Sequence, residues 1–204
     1  MTVLNPNVIT YSAIHGDYDK DRDDIHIFRA EESDKFKLDV MNSKIYKILS
    51  HKYFPEHDNS IWIDANINLK VDIKVLLDEF LKDADIALFH APFSDCIYKR
   101  VEAIKTRLHS KYHKILDEQI LTYKKDGFPA EYGMGQCGMI IRKNNDIVSE
   151  FNERWWSEIC RYTNRDQVSF PYVWWKMKDR IKIKLIKGQG NVRSHPYFTY
   201  TPHL

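Results

Sequence analysis

The sequence predicts an α/β fold: one domain over residues 1–204, with a central, mostly parallel but mixed sheet flanked by helices. Three observations carry that expectation. Short β-branched, apolar runs alternate with longer amphipathic stretches along the whole chain, the pattern of strand–helix–strand units. Hydrophobic residues are 43% of 204 and charged residues 29%, a balance that lets the chain bury its own core. Only seven glycines and seven prolines are present, which excludes low-complexity and collagen-like classes and favours long regular elements.

From the amino terminus, residues 7–14 are β-branched and apolar between Pro6 and a polar turn, and predict a buried strand. A second short strand follows at 25–28. Residues 42–49 predict a helix capped at Asn42 or Ser43, with Ile45, Ile48 and Leu49 on one face. After a solvated turn at 55–60, residues 61–67 read as an apolar strand that carries Asp64 and Asn66. An amphipathic helix over 71–82 precedes a buried strand at 86–89, and a long helical stretch runs from 96 to 125. A strand at 139–142, helices at 146–162 and 167–177, and a strictly alternating strand at 181–186 complete the series.

Lys+Arg 31 against Asp+Glu 29 leaves a net charge of +2, too little field to predict a nucleic-acid or anionic-membrane partner. No apolar run approaches the ~20 residues of a membrane-spanning helix, and the opening residues lack a signal-peptide core, so no membrane insertion is expected. Three cysteines without a CxxC pair offer neither a disulfide framework nor a zinc ribbon. A reduced, cytoplasmic location is the corresponding expectation. The ending at residues 201–204 reads equally as a natural terminus or as a cut from a longer chain.

Four segments can carry chemistry. Asp64 and Asn66, two apart on an extended strand, would point to one side at its carboxyl edge. Two hard oxygen donors there suit Mg²⁺ or Mn²⁺ holding a diphosphate, against the blander reading of an acid that caps the next loop. Asp166 opens a helix, where an acid either caps, worth ~1 kcal/mol, or faces a substrate. The glycines at 133, 135 and 138 precede a strand and let a ligand approach the backbone, in a loop-to-strand order that is not a P-loop. In the tail at 188–195, Arg193 and His195 could fold over an anion.

The order of these pieces is the informative part: Tyr11-Ser12-Ala13 in the first strand, Lys44 and Lys47 on a helix, Trp62-Ile63-Asp64-Ala65-Asn66, then Gln136-Cys137-Gly138 leading into Met139–Arg142, and Arg165-Asp166-Gln167-Val168-Ser169-Phe170. Together they resemble GT-A-fold glycosyltransferases that use nucleotide-diphosphate sugars, in the branch of lipopolysaccharide galactosyltransferases and glycogenins. The resemblance extends to plant and bacterial glycosyltransferase-like proteins and to the amino-terminal glycosyltransferase domain of multidomain chlorella-virus proteins, which would place the chain in a host cytoplasm.

The resemblance implies a UDP-sugar donor, a glycan or glycoprotein acceptor, a Mn²⁺ or Mg²⁺ cofactor and retention of anomeric configuration. Tyr11, Ser12 and Ala13 would line the uridine and ribose pocket, with Tyr18 near the base. Lys44, Lys47 and Arg193 would meet the diphosphate or sugar. Asp64, Asn66 and His195, with His203 second, would be the metal ligands; an amide at 66 in place of the family's second acid removes one negative charge. Gln136 and Cys137 would touch both sugars, and Asp166 and Gln167 would face the anomeric carbon, Asp166 serving as general base if the enzyme inverts. The transferred sugar would be a glucose-like hexose or a deoxyhexose such as rhamnose. The rival classes are an inactive glycan-binding module, which the aromatic content of 13% also suits, and a metal-dependent phosphohydrolase, which would need more clustered acids.

Overall fold

A computed structural model describes residues 7–17, 19, 20, 22–33, 35–92, 94–188 and 190–202. Their strands and helices alternate in chain order: β1 (Val8–Ile14), β2 (His26–Arg29), α1 (Asp39–Ile48), α2 (Ser50–Tyr53), β3 (Asn59–Ile63), β4 (Ile67–Leu69), α3 (Ile73–Leu76), β5 (Ile86–His90), α4 (Ile97–Lys105), α5 (His113–Lys125), β6 (Gly135–Lys143), α6 (Asp146–Arg161), α7 (Asp166–Met177), β7 (Ile183–Ile186) and β8 (Phe198–Tyr200).

Six strands form the central sheet in the order β2-β1-β3-β6-β5-β7. β1 runs parallel to β2 and β3, and β5 parallel to β7, whereas β6 is antiparallel to both of its neighbours. The expected mixed, mostly parallel sheet is therefore what forms. Both of its faces are covered. Trp62, Leu88 and Ile140 point into a core shared with α1 and α4–α7, while Ile61, Ile63, Phe89, Met139 and Ile141 point the other way, into a second core with Leu76, Phe80 and Phe198. Strands buried on both sides read as continuous apolar runs, which is why they were visible in the sequence.

Several boundaries differ from expectation for local reasons. The first helix begins at Asp39, and Asn42 does not cap it: its amide accepts from Phe36 N–H and donates to the Ser33 and Phe36 carbonyls, tying down the incoming loop. The stretch 61–67 is not one strand. β3 ends at Ile63, residues 64–66 turn, and the Ile67 N–H donates to the Asp64 carbonyl at 2.9 Å, so β4 pairs instead with β8, a strand too short to stand out in the sequence. The helix at 71–82 is capped by Asp72 and widens into a π-helical turn over Leu77–Leu81. The helical stretch at 96–125 breaks between Lys105 and His113. The strand at 139–142 begins four residues earlier, because of the three glycines only Gly133 takes a positive φ, of 104°, while Gly135 and Gly138 are extended.

The antiparallel course of β6 sets up the site. Its beginning, at Gly135–Cys137, lies at the same sheet edge as the ends of β1, β3 and β5. No helix among the described residues is long and apolar enough to cross a membrane. Cys96, Cys137 and Cys160 form no disulfide.

Candidate active site

At that edge a cleft of about 600 Å³ opens, lined by Ala13 from β1, Lys44 and Lys47 from α1, Trp62 and Asp64 from β3 and the turn after it, and Arg165 before α7. Four charged side chains meet there. Lys44 Nζ lies 2.6 Å and Lys47 Nζ 3.0 Å from the same oxygen, Asp166 Oδ2. Lys47 Nζ is also 3.4 Å from Asp64 Oδ1, which accepts a 2.9 Å hydrogen bond from Trp62 Nε1. The Lys47 ammonium stands 5.1 Å from the Trp62 ring centroid.

Each member of the cluster is anchored in the fold. The carbonyl of Lys47 accepts from Arg142 Nη2 at 2.6 Å and from the Tyr11 hydroxyl at 3.3 Å. Asp166 sits in the first turn of α7, not at its cap, which is Arg165. Trp155 on α6 donates its indole N–H to the Asp166 carbonyl at 3.2 Å and to Ser169 Oγ at 3.1 Å, holding the start of α7 in place. The Asp64 N–H donates to the Gly138 carbonyl at 2.8 Å, prolonging the β3–β6 ladder by one residue.

The electrostatics follow from this packing. Burial opposes ionisation of Asp166, but Lys44 and Lys47 outweigh it and hold the carboxyl well below the ordinary range. Burial likewise opposes the Lys47 charge, and Asp166 and Asp64 outweigh it, so its pKa rises above that of a free lysine. Two ammonium groups and two carboxylates thus form a balanced cluster at the cleft floor. A carboxylate held this far below neutrality is a poor general base, since an efficient base is matched to the working pH. As placed, Asp166 is a fixed anion, and the sequence expectation of Asp166 as base in an inverting reaction gains nothing from this geometry.

The structure brings together only part of the predicted site. Ala13, Lys44, Lys47 and Asp64 share the cleft. Tyr11 and Ser12 are fully buried beneath it, Tyr11 as a partner of Arg142 at 2.9 Å. Tyr18 and His203 lie outside the described residues. Cys137 is buried, and its thiol is pushed up by burial and then by the Asp166 charge. Gln136, Gln167 and Arg193 line a separate opening of about 300 Å³ on the β5 side of β6.

The metal ligands expected from the sequence separate in the same way. Asn66 is buried and lines a neighbouring opening of about 230 Å³ with Arg22 and Asn68. His195 is buried among Phe80, Phe89, Tyr197 and Phe198, where its Nδ1 accepts from Tyr197 N–H; burial lowers its pKa and Glu79 partly offsets this, leaving a neutral imidazole. Among the described residues no three His, Cys, Asp or Glu side chains cluster to hold a metal. Of the expected ligands among the described residues, Asp64 lines the cleft, its side chain 40% exposed, with Asp19 also in the lining. A Cβ on Gly138 would come within 3.2 Å of Asp64 Oδ2, so the glycine keeps that oxygen clear. The donor set fits a cation shared between Asp64 and a ligand's phosphates, not one enclosed by protein.

Trp62 and Arg142 were missed as site residues. Arg142 had a signal: a cation at the end of the apolar run Met139–Ile141 raises the same question as an acid in a core strand.

Comparison with known proteins adds family and fold. The TOD1/MUCI70, glycosyltransferase-like domain matches residues 32–193. MUCI70 of Arabidopsis thaliana, a probable hexosyltransferase, is 32% identical over 158 residues, 70% of this chain and 26% of that protein. TOD1 of the same plant, named an alkaline ceramidase, is 26% identical over 174 residues, 79% of this chain and 37% of that protein. The chain therefore spans well under half the length of either relative. The apo structure of the bifunctional glycosyltransferase WbbM superposes with a TM-score of 0.51 at 15% identity, over 86% of this chain and 35% of that one, and shares the fold.

Proposed function

This chain belongs to the TOD1/MUCI70 glycosyltransferase-like family, and on that premise we propose that it moves a hexosyl or deoxyhexosyl group from a UDP-sugar to a hydroxyl of a glycan or glycoprotein. The observation that carries the reading is the Lys44–Lys47–Asp64–Asp166 cluster on the floor of the cleft beside Trp62.

In such a transfer the bond between the anomeric carbon and the β-phosphate oxygen breaks, and negative charge grows on the diphosphate. Lys44 and Lys47, which line the cleft, would receive it, and losing one such contact commonly costs ~10²–10³ in rate. Asp166, displaced as their partner by the diphosphate, would leave its negative charge beside the electron-poor sugar. In the retaining course proposed here, the acceptor oxygen attacks on the face the diphosphate leaves, and its proton passes to the leaving phosphate. Asp64 would hold Mn²⁺ or Mg²⁺ together with diphosphate oxygens; when bound, the cation supplies Lewis-acid stabilisation of the leaving group.

The ceramidase activity in the name of TOD1 is the less supported reading. A lipid amide brings no phosphate to share a cation with Asp64, and Asp166 is held as an anion by two lysines.

The test is thermal unfolding with UDP, with and without Mn²⁺, repeated on Asp64→Ala. Binding to the native state adds RT ln(1+[L]/Kd), ~2.7 kcal/mol at a hundredfold excess over Kd. The expected result is a UDP shift that Mn²⁺ enlarges, with the enlargement lost in Asp64→Ala, followed by UDP release from a UDP-hexose in the presence of acceptor. No shift with any nucleotide removes the donor site, and sugar binding indifferent to nucleotide and metal then identifies a glycan-binding module.

A further inference from the structure

The second opening, of about 300 Å³, is lined by Ser94, Arg100, Gln136, Gln167 and Arg193 along with Ala91 and Pro92, and by no acid among the described residues. We propose that it binds the acceptor and that it selects one bearing a carboxylate, a uronic-acid-containing glycan. The inference rests on the transferase reading and names the acceptor class for it.

Position comes first. The donor cleft lies at β1 and β3, and this opening lies across β6, at the end of β5. Asp166 and Gln167 are adjacent at the start of α7, Asp166 reaching into the cluster under the donor cleft and Gln167 lining the second opening. Consecutive residues of α7 thus join the two openings, and a group bound here would be the second substrate of the transfer.

Charge selects the class. Lys44 and Lys47 have Asp166 as a partner, whereas neither Arg100 nor Arg193 has a carboxylate partner among the described residues. Arg100 makes one long contact, donating from Nη2 to Gln167 Oε1 at 3.5 Å. Asp95, the acid on the adjoining loop, is bonded to His90. A guanidinium presents two parallel N–H donors that match a carboxylate, and the amides of Gln136 and Gln167 suit the hydroxyls around a sugar ring.

The site is also built. Gln136 Oε1 accepts from the Val192 N–H at 3.2 Å, pinning the 191–195 turn to β6. Within that turn Asn191 Oδ1 accepts from the Arg193 N–H at 2.9 Å, and the Arg193 guanidinium carbon stands 4.4 Å from the Tyr200 ring centroid. A cation–ring contact of this kind restrains the guanidinium before a ligand arrives.

The experiment measures binding of oligosaccharides in matched pairs that differ only in a uronate carboxylate against a hydroxymethyl group, to the full chain saturated with UDP. The uronate members are expected to bind about ten- to a hundredfold more tightly. Arg100→Gln and Arg193→Gln should each reduce that preference, with the UDP thermal shift kept in Arg100→Gln. Equal binding within pairs, binding of no pair, or an undiminished preference in both variants overturns the proposal. Loss of UDP binding in Arg193→Gln with the preference intact returns that arginine to the donor phosphates and also overturns it. A uronate preference without any UDP shift would instead overturn the transferase reading while leaving this pocket standing.

Discussion

Lys44 Nζ lies 2.6 Å from Asp166 Oδ2, an ion pair between residues 122 positions apart that ties α1 to the first turn of α7. Lys47 shares the same oxygen and also meets Asp64, so the two ammonium groups on the floor of the cleft are balanced by two carboxylates.

Asp166→Asn therefore separates binding from catalysis. Removing one partner of a buried ion pair leaves the others uncompensated, and a stability loss of about 3 kcal/mol is expected in urea unfolding. A diphosphate can replace the missing negative charge, so UDP affinity should hold or rise while turnover falls ~10²–10³-fold. A variant that loses UDP binding and turnover together would assign Asp166 to donor binding instead.

The pH dependence of the cluster has a definite sign. Asp166 has a depressed pKa in the folded state, so its contribution is present above the unfolded carboxyl value of ~3.9 and disappears as pH falls through the folded value. Lys47 has a raised pKa, so its contribution is full below the unfolded value of ~10.4 and disappears as pH rises through the folded one. The stability difference between the native chain and Asp166→Asn should be level from about pH 5 to 9. A difference that changes across neutrality would mean that another group titrates with the cluster.

Two glycines of β6 should respond oppositely to alanine. At Gly135 a Cβ would collide with Leu88 Cδ1 and meet Phe170 Cε1 at 3.4 Å, so Gly135→Ala should cost roughly 1–3 kcal/mol of stability. At Gly138 it would meet Asp64 Oδ2 at 3.2 Å, and Gly138→Ala should chiefly weaken the Mn²⁺-assisted part of UDP binding. Calorimetric melting with and without UDP and Mn²⁺ separates the two, and equal effects on both readouts would count against the role given to Asp64.

Arg142 is fully buried, with no carboxylate against it among the described residues. Its guanidinium instead donates to the Lys47 and Ile48 carbonyls, the Tyr11 hydroxyl and Asn152 Oδ1. Burial pulls its pKa down, with Tyr11 and Cys137 opposing. Arg142→Met strips donors from carbonyls at the end of α1, and about 2–3 kcal/mol of stability should go with them. As a positioning residue acting through Lys47, it should lower kcat more than it raises KM for the donor. Wild-type kcat in the folded variant would make its role purely structural.

The legible parts of this molecule were those with a local signature. β5 and β6 were visible as apolar runs because helices and loops cover both faces of the sheet, and α6 was legible as a helix over 146–162, whereas its cap, Asn145, whose side chain accepts from Val148 N–H at 3.0 Å, was not read. The residue types at Lys44, Lys47, Asp64 and Asp166 were also legible, through their order along the chain. Strand alternation, on which the pairing of Asp64 with Asn66 was argued, holds only while the strand lasts, and β3 stops at Ile63. β8 left no trace, since three residues carry no period.

By itself the sequence determined the alternation of elements, the two-sided core and the supply of acids and lysines, because periodicity and residue chemistry are local properties. Only the tertiary structure decided that Lys44, Lys47, Asp64 and Asp166 meet, that Gln136, Gln167 and Arg193 face a different opening, and that His195 is packed among aromatic rings. Those outcomes depend on where an antiparallel β6 lies between β3 and β5 and on how α7 docks beside α6. Such long-range contacts are set by the joint packing of distant segments, and no window of neighbouring residues encodes it.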